Sequence, residues 1–116
     1  MTTTEGTHIT HTNPDGNTVQ VHIGDNATIG DYVTIKHNVK IGRDVTIRYG
    51  VTICENVTIG DNSWIGDWAR IGDGAHIRSK VLVAPQVNMP SHWMAPSDVV
   101  INQQPSGDLL MYNMPR

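Results

Sequence analysis

The chain has 116 residues, long enough for one domain and too short for a second with its own core. A formal net charge of −3 with only eight Lys and Arg argues against binding nucleic acid or an acidic membrane by charge. No apolar run approaches ~18 residues, the opening MTTTEGTHITHT lacks both the basic and the apolar region of a secretory signal, and Cys54 has no partner for a disulfide; a cytoplasmic protein is expected.

Residues 1–22 predict an N-terminal hairpin and cap. His8-Ile9-Thr10-His11-Thr12 and Thr18-Val19-Gln20-Val21-His22 flank Asn13-Pro14-Asp15-Gly16, where Pro presets the second turn position and Gly takes the left-handed one. A bulged three-residue loop pairs Asn13 with Asn17, placing Ile9 across from Val21 and His8 across from His22. His8, His11 and His22 could bind a metal in His-x-x-His style, but polar strand residues at a terminus account for them better, and no metal is assigned.

Residues 23–95 carry the pattern that decides the fold. Isoleucine occupies ten successive positions six residues apart from Ile23 to Ile77, and Val83 and Met89 continue the step. Four residues after each comes a small or aliphatic residue, from Ala27 and Val33 through Ser63 to Val87. Turn residues follow the large aliphatic, as in Gly24-Asp25-Asn26, Gly42-Arg43-Asp44 and Gly72-Asp73-Gly74, and glycine there supplies positive φ without strain. A period of six fits neither an α-helix nor a heptad. Short strands and sharp bends in alternation wind into a coil whose like positions stack; three hexads, about 18 residues, close one triangular turn. Outward Trp64, Trp68, Val19 and Leu82 would leave apolar faces exposed on a lone prism.

This tandem [Ile/Val]-Gly-Asp-x-[Val/Ala/Ser]-x pattern resembles the hexapeptide-repeat, left-handed parallel β-helix family, which includes trimeric acyltransferase-like proteins. The resemblance implies an all-β fold of about four to five triangular coils in a homotrimer. Residues 96–116 form an irregular C-terminal cap. Val99-Val100, the Pro105-Ser106-Gly107 turn and Asn113-Met114-Pro115-Arg116 resemble the stretch with which hexapeptide acyltransferases finish, although Met114 stands where the family has its proline. That alignment turns Val100 inward, whereas counting in sixes selects Ile101, so a one-residue slip is expected between Pro90 and Pro96.

By resemblance the activity is acyl transfer from a coenzyme A thioester, or from acyl carrier protein, to a hydroxyl or amine of a small acceptor, with a histidine as general base. No histidine motif of the family matches, leaving His76, in an outward slot, and His37, in a corner column with Glu55 and Asp73, as catalytic candidates, and the capping His92 beside them. Family carbonic anhydrases hold zinc through histidines spaced by five, and Gly42 occupies that place after His37, so zinc chemistry is disfavoured. Tyr32, Arg48, Tyr49 and Trp68 fall at one corner of successive coils, where aromatic faces and a guanidinium suit either a planar ligand or a subunit interface.

Two readings follow. One is a minimal acyltransferase, weakened by the absence of an acceptor-binding domain before the coil, by the lack of an inserted loop, and by Arg48, Cys54, Arg78 and Pro90 at corner-glycine positions. The other is a non-catalytic trimer that holds a nucleotide-like or sugar ligand between its subunits, or an inhibitor or scaffold that blocks a protein partner.

Overall fold

The computed structural model describes residues 7–113, with side chains from Ile9 onward; the His8 side chain and the Met114-Pro115-Arg116 ending lie outside the described residues. The strands, in chain order, begin with β1 (Thr7–Thr12), β2 (Thr18–Ile23), β3 (Thr28–Ile29), β4 (Thr34–Ile35), β5 (Lys40–Ile41), β6 (Thr46–Ile47), β7 (Thr52–Ile53) and β8 (Thr58–Ile59). They continue with β9 (Trp64–Ile65), β10 (Arg70–Ile71), β11 (His76–Ile77), β12 (Leu82–Val83), β13 (Asn88–Met89), β14 (Met94–Ala95), β15 (Val99–Gln103) and β16 (Leu109–Asn113).

The six-residue stride produces one two-residue strand per hexad, and successive strands fall in turn on three sheets. Sheet A runs β1-β2-β5-β8-β11-β14, sheet B runs β16-β15-β12-β9-β6-β3, and sheet C runs β13-β10-β7-β4. Pairing is parallel throughout the coil, and each residue lies beside the one 18 positions on: Ile23, Ile41, Ile59, Ile77 and Ala95 form a single file. The result is a left-handed parallel β-helix of about four turns. Its interior is a dry column of isoleucine and valine, each such side chain contributing ~1.5–3 kcal/mol when removed from water. Ser63 is the polar exception, and its hydroxyl donates to the Arg78 carbonyl at 2.8 Å and accepts the Val81 amide at 3.2 Å.

The corners differ from expectation in one respect. The hexad glycines Gly24, Gly60 and Gly72 do not have positive φ; a Cβ on any of them would come within 2.5–2.6 Å of the next coil's backbone. They are needed for close stacking. Positive φ falls two residues later, on Asn26, Asp44, Asn62, Lys80 and Asp98 at the corner between sheets A and B, and on Asn38, Asn56, Gly74 and His92 between C and A. Asparagine tolerates this region best among residues with a Cβ. From the second coil on, the N–H of the residue so turned donates to the coil before, as Asn62 does to the Arg43 carbonyl at 2.8 Å and His92 to that of Asp73 at 2.7 Å. The hexad aspartates act in the same direction: Asp61 Oδ1 accepts the Arg43 amide at 2.8 Å and Asp73 Oδ1 accepts that of Glu55 at 3.0 Å.

At the N-terminus, β1 and β2 pair in the expected register, His8 opposite His22 and Ile9 opposite Val21. The Asn13 amide donates to the Asn17 carbonyl at 2.7 Å, closing the loop. Val19, expected outward, points inward and is buried with Val21 and Ile23, because the alternation that exposes Gln20 fixes its neighbours. At the C-terminus the expected slip does not occur. Ile101 pairs with Val83 and is fully buried while Val100 faces out, so the stride of six holds through both prolines. The cap is also more regular than expected, a second antiparallel hairpin of β15 and β16.

Side-chain amides close both ends of sheet C. The buried Asn13 acts as a surrogate strand against β4: its Nδ2 donates to the Ile35 carbonyl at 3.0 Å and its Oδ1 accepts the Ile35 amide at 2.9 Å. Beside it, His11 Nε2 donates to the Val33 carbonyl at 2.8 Å. At the other end Gln103 Oε1 accepts the Asn88 amide of β13 at 2.8 Å.

Candidate functional site

The candidate catalytic histidines His76 and His37 and the aromatic corner occupy different parts of the prism. His76 sits half-buried on the outer face of sheet A between Thr58 and Met94. His37 is exposed at the corner between sheets C and A, in a column with Glu55 and Asp73. The stacking is as expected, yet the Asp73 carboxylate is engaged by the Glu55 amide, and among the described residues no carboxylate orients the ring of His37 or of His76. His92 lies over Gly74, where a Cβ would meet its Nδ1 at 2.5 Å. Cys54, adjacent to this corner, is buried; burial pushes its thiol above the ordinary value, with the Arg70 cation opposing. No group of three metal-ligating side chains occurs among the described residues.

The corner between sheets B and C carries the aromatic cluster. Tyr32 and Trp68 occupy the positive-φ position two coils apart, at φ 61° and 63°, with Gly50 between them at φ 71°. Such a conformation costs a non-glycine residue about 1–3 kcal/mol, and the other two corners fill the position mainly with Asn, Asp and Gly. Gly50 is favoured here by φ and required by space, since a Cβ would fall 2.5 Å from Trp68 Cε3. The Trp68 ring thus lies over the glycine, and Tyr49, one residue earlier, fills the remaining gap. Ring centroids are 5.2 Å apart from Tyr32 to Tyr49 and again from Tyr49 to Trp68, tilted by 54° and 70°. The first pair is tilted and the second edge to face, so at these centroid distances a planar ligand has no slot between the rings and must use their outer faces, which are open: Tyr32 is 64% and Trp68 58% exposed.

Two grooves flank the ladder. The larger, about 430 Å³, runs on the sheet B side and is lined by Thr28, Gly30, Thr46, Ile47, Arg48, Tyr49 and Asp67. A smaller one of about 260 Å³ lies on the far side of Tyr32 against His11, Thr12 and Pro14 of the hairpin. Arg48 Nε approaches Asp67 Oδ1 at 3.4 Å, and its guanidinium sits 5.7 Å from the centre of the Trp64 ring. The pair is exposed on both sides, so it orients the guanidinium more than it stabilises the fold. Asp67 also accepts the Tyr49 amide at 3.2 Å, tying the aromatic and the cation to one carboxylate. The groove therefore offers an aromatic wall, a cation, an acceptor and two hydroxyls within a volume that suits a small molecule. Asp67, Thr28 and Thr46 carried no site expectation from the sequence, and Trp64 only that of an outward apolar residue, although stacking in steps of 18 places Asp67 beside Tyr49.

The model of the family described as bacterial transferase hexapeptide (six repeats) matches residues 20–55. No curated protein matches the chain. Among solved structures, serine acetyltransferase in complex with CoA is similar at 21% identity and a TM-score of 0.63, covering 78% of this chain and 41% of that one. The acetyltransferase domain of PglB from Neisseria gonorrhoeae FA1090 has 19% identity and a TM-score of 0.42, covering 79% of this chain and 57% of that one. The chain thus spans about half the length of these proteins or less, and what it shares with the first of them is the hexapeptide-repeat β-helix fold.

Proposed function

We propose that this protein is a homotrimeric binding protein on an acyltransferase scaffold, and that it holds a ligand with a planar ring and an anionic group in the groove beside Tyr49. The adenosine phosphate end of a coenzyme A thioester and a free nucleotide both fit that description. The observation that carries the reading is the B–C corner itself. Three aromatic rings in mutual contact, two of them more than half exposed, stand there beside a guanidinium and two threonine hydroxyls. A trimer is supported by the outward file Trp64, Leu82 and Val100, which makes sheet B the apolar face of the prism.

Native mass spectrometry of the purified protein, followed by calorimetric titration with coenzyme A and with adenine nucleotides, tests it. Trimers whose affinity falls at least tenfold in Tyr49→Ala and Arg48→Ala are expected. Monomers, or affinity indifferent to both changes, overturn it.

Acyl transfer itself is a second reading, favoured by the likeness to an acetyltransferase that was solved with CoA. His76 or His37 would then act as the base. Loss of acetyl transfer in His76→Ala or His37→Ala, with assembly intact, supports it; transfer unchanged in both removes these histidines from the chemistry.

A further inference from the structure

Among the described residues, the sheet edges of the prism are capped, polar or very short, with one exception. Sheet C ends in the side-chain amides of Asn13 and Gln103. Sheet A ends at β1, whose sequence Thr-His-Ile-Thr-His-Thr is polar. The edges at β3 and β14 are two residues long, too short to seat a partner strand. β16 differs from all of these. Among the described residues it pairs with β15 on one side alone, and its other side is the outer edge of sheet B. Its sequence Leu109-Leu110-Met111-Tyr112-Asn113 holds no charge and no proline, the two devices that ordinarily protect such an edge. Leu110, Met111 and Tyr112 are 42%, 47% and 49% exposed, so both faces of the strand are apolar where it meets solvent.

We infer that β16 is a docking strand for β16 of a second copy of this chain, joining two prisms by their C-terminal ends about a twofold axis. An uncharged strand is free of like-charge repulsion against itself. Antiparallel pairing centred on Met111 sets Leu110 opposite Tyr112 twice, an aliphatic–aromatic match on the outer face, and Leu109 opposite Asn113. The free N–H and C=O groups of each edge then complete one another, and the two copies of sheet B become a single continuous sheet. A five-residue edge is far smaller than the ~1,200–2,000 Å² of a stable interface, so the association rises with concentration. It uses no residue of the ligand groove. Tyr112, opposite Val100, extends the outward file on which the trimer is proposed, whereas Met111, opposite the buried Ile101, lies on the inner face, so Met111→Lys separates loss of strand pairing from loss of the trimer.

The experiment is sedimentation velocity over a hundredfold range of concentration, comparing the full chain with Met111→Lys and Tyr112→Lys. The expected result is wild-type protein whose mass doubles at the upper end of the range, against variants that keep the lower mass throughout and melt within a few degrees of wild type. As a second measurement, Met111→Cys under mild oxidation should yield disulfide-linked dimers on a non-reducing gel, whereas Thr10→Cys on the opposite hairpin should not. Equal masses for wild type and both lysine variants at every concentration, or cross-linking that is no greater at 111 than at 10, would overturn the inference.

Discussion

The two ends of the prism solve one problem with the same parts and different chemistry. Each has an antiparallel hairpin extending one sheet and an amide side chain closing sheet C. At the N-terminus the amide belongs to the hairpin's turn, is buried, and makes both hydrogen bonds that a neighbouring strand would make to Ile35. At the C-terminus Gln103 makes one such bond, to Asn88, and spends its Nε2 on the Gly107 carbonyl of its own loop at 2.9 Å. The hairpins differ likewise: Ile9 packs against the core, whereas Met111, the corresponding residue opposite Ile101, is half exposed. The first end is finished as a lid. The second is left adhesive.

This contrast sets the order of effects expected from substitution. Asn13→Leu should cost the most, about 2–4 kcal/mol in chemical denaturation, since it deprives two buried backbone groups of their partners; a cost below about 1 kcal/mol would mean that water replaces the cap. Ile9→Ala should follow at about 1–2 kcal/mol for a partly buried aliphatic, and an equal loss from Met111→Ala would erase the distinction between the hairpins. Gln103→Ala should cost about 1 kcal/mol, since both hydrogen bonds of its side chain are solvent-exposed. The smallest effect is an alkaline one from between the ends. The buried Cys54 thiol is held above its ordinary value, so the unfolded chain releases this proton first. Stability should therefore fall as pH rises above about 8.5. Cys54→Ala should flatten that slope, and a slope unchanged by the substitution would assign it elsewhere.

The strength of this contrast could not be read from the chain, although the coil could. A six-residue step of isoleucine maps directly onto an interior file, because every hexad repeats one conformation and stacking preserves register. The step outperformed resemblance at Val100 and Ile101: similarity to the family's ending predicted a slip, while counting in sixes was correct. Asn13 read only as a turn residue, since its role depends on where the hairpin docks, a contact 22 residues distant with no periodic signal. The site was half legible. Steps of 18 brought Tyr32, Tyr49 and Trp68 together, but the mutual contact of the rings and the turn of Arg48 towards Trp64 depend on side-chain directions at a corner, which spacing does not encode. Glycine was found in the right places for the wrong reason, as most corner glycines answer to the backbone above them and not to φ.

Gly50 governs a surface to which it contributes no atoms of a side chain. The Trp68 ring rests in the volume that any other residue at 50 would claim, so a single methyl group there would tilt the indole and alter its angle to Tyr49. Shape at this corner is thus tuned from a position that contact-based searches for specificity would pass over. A bound molecule would register the change as altered selectivity between ring sizes, with the interior of the protein untouched.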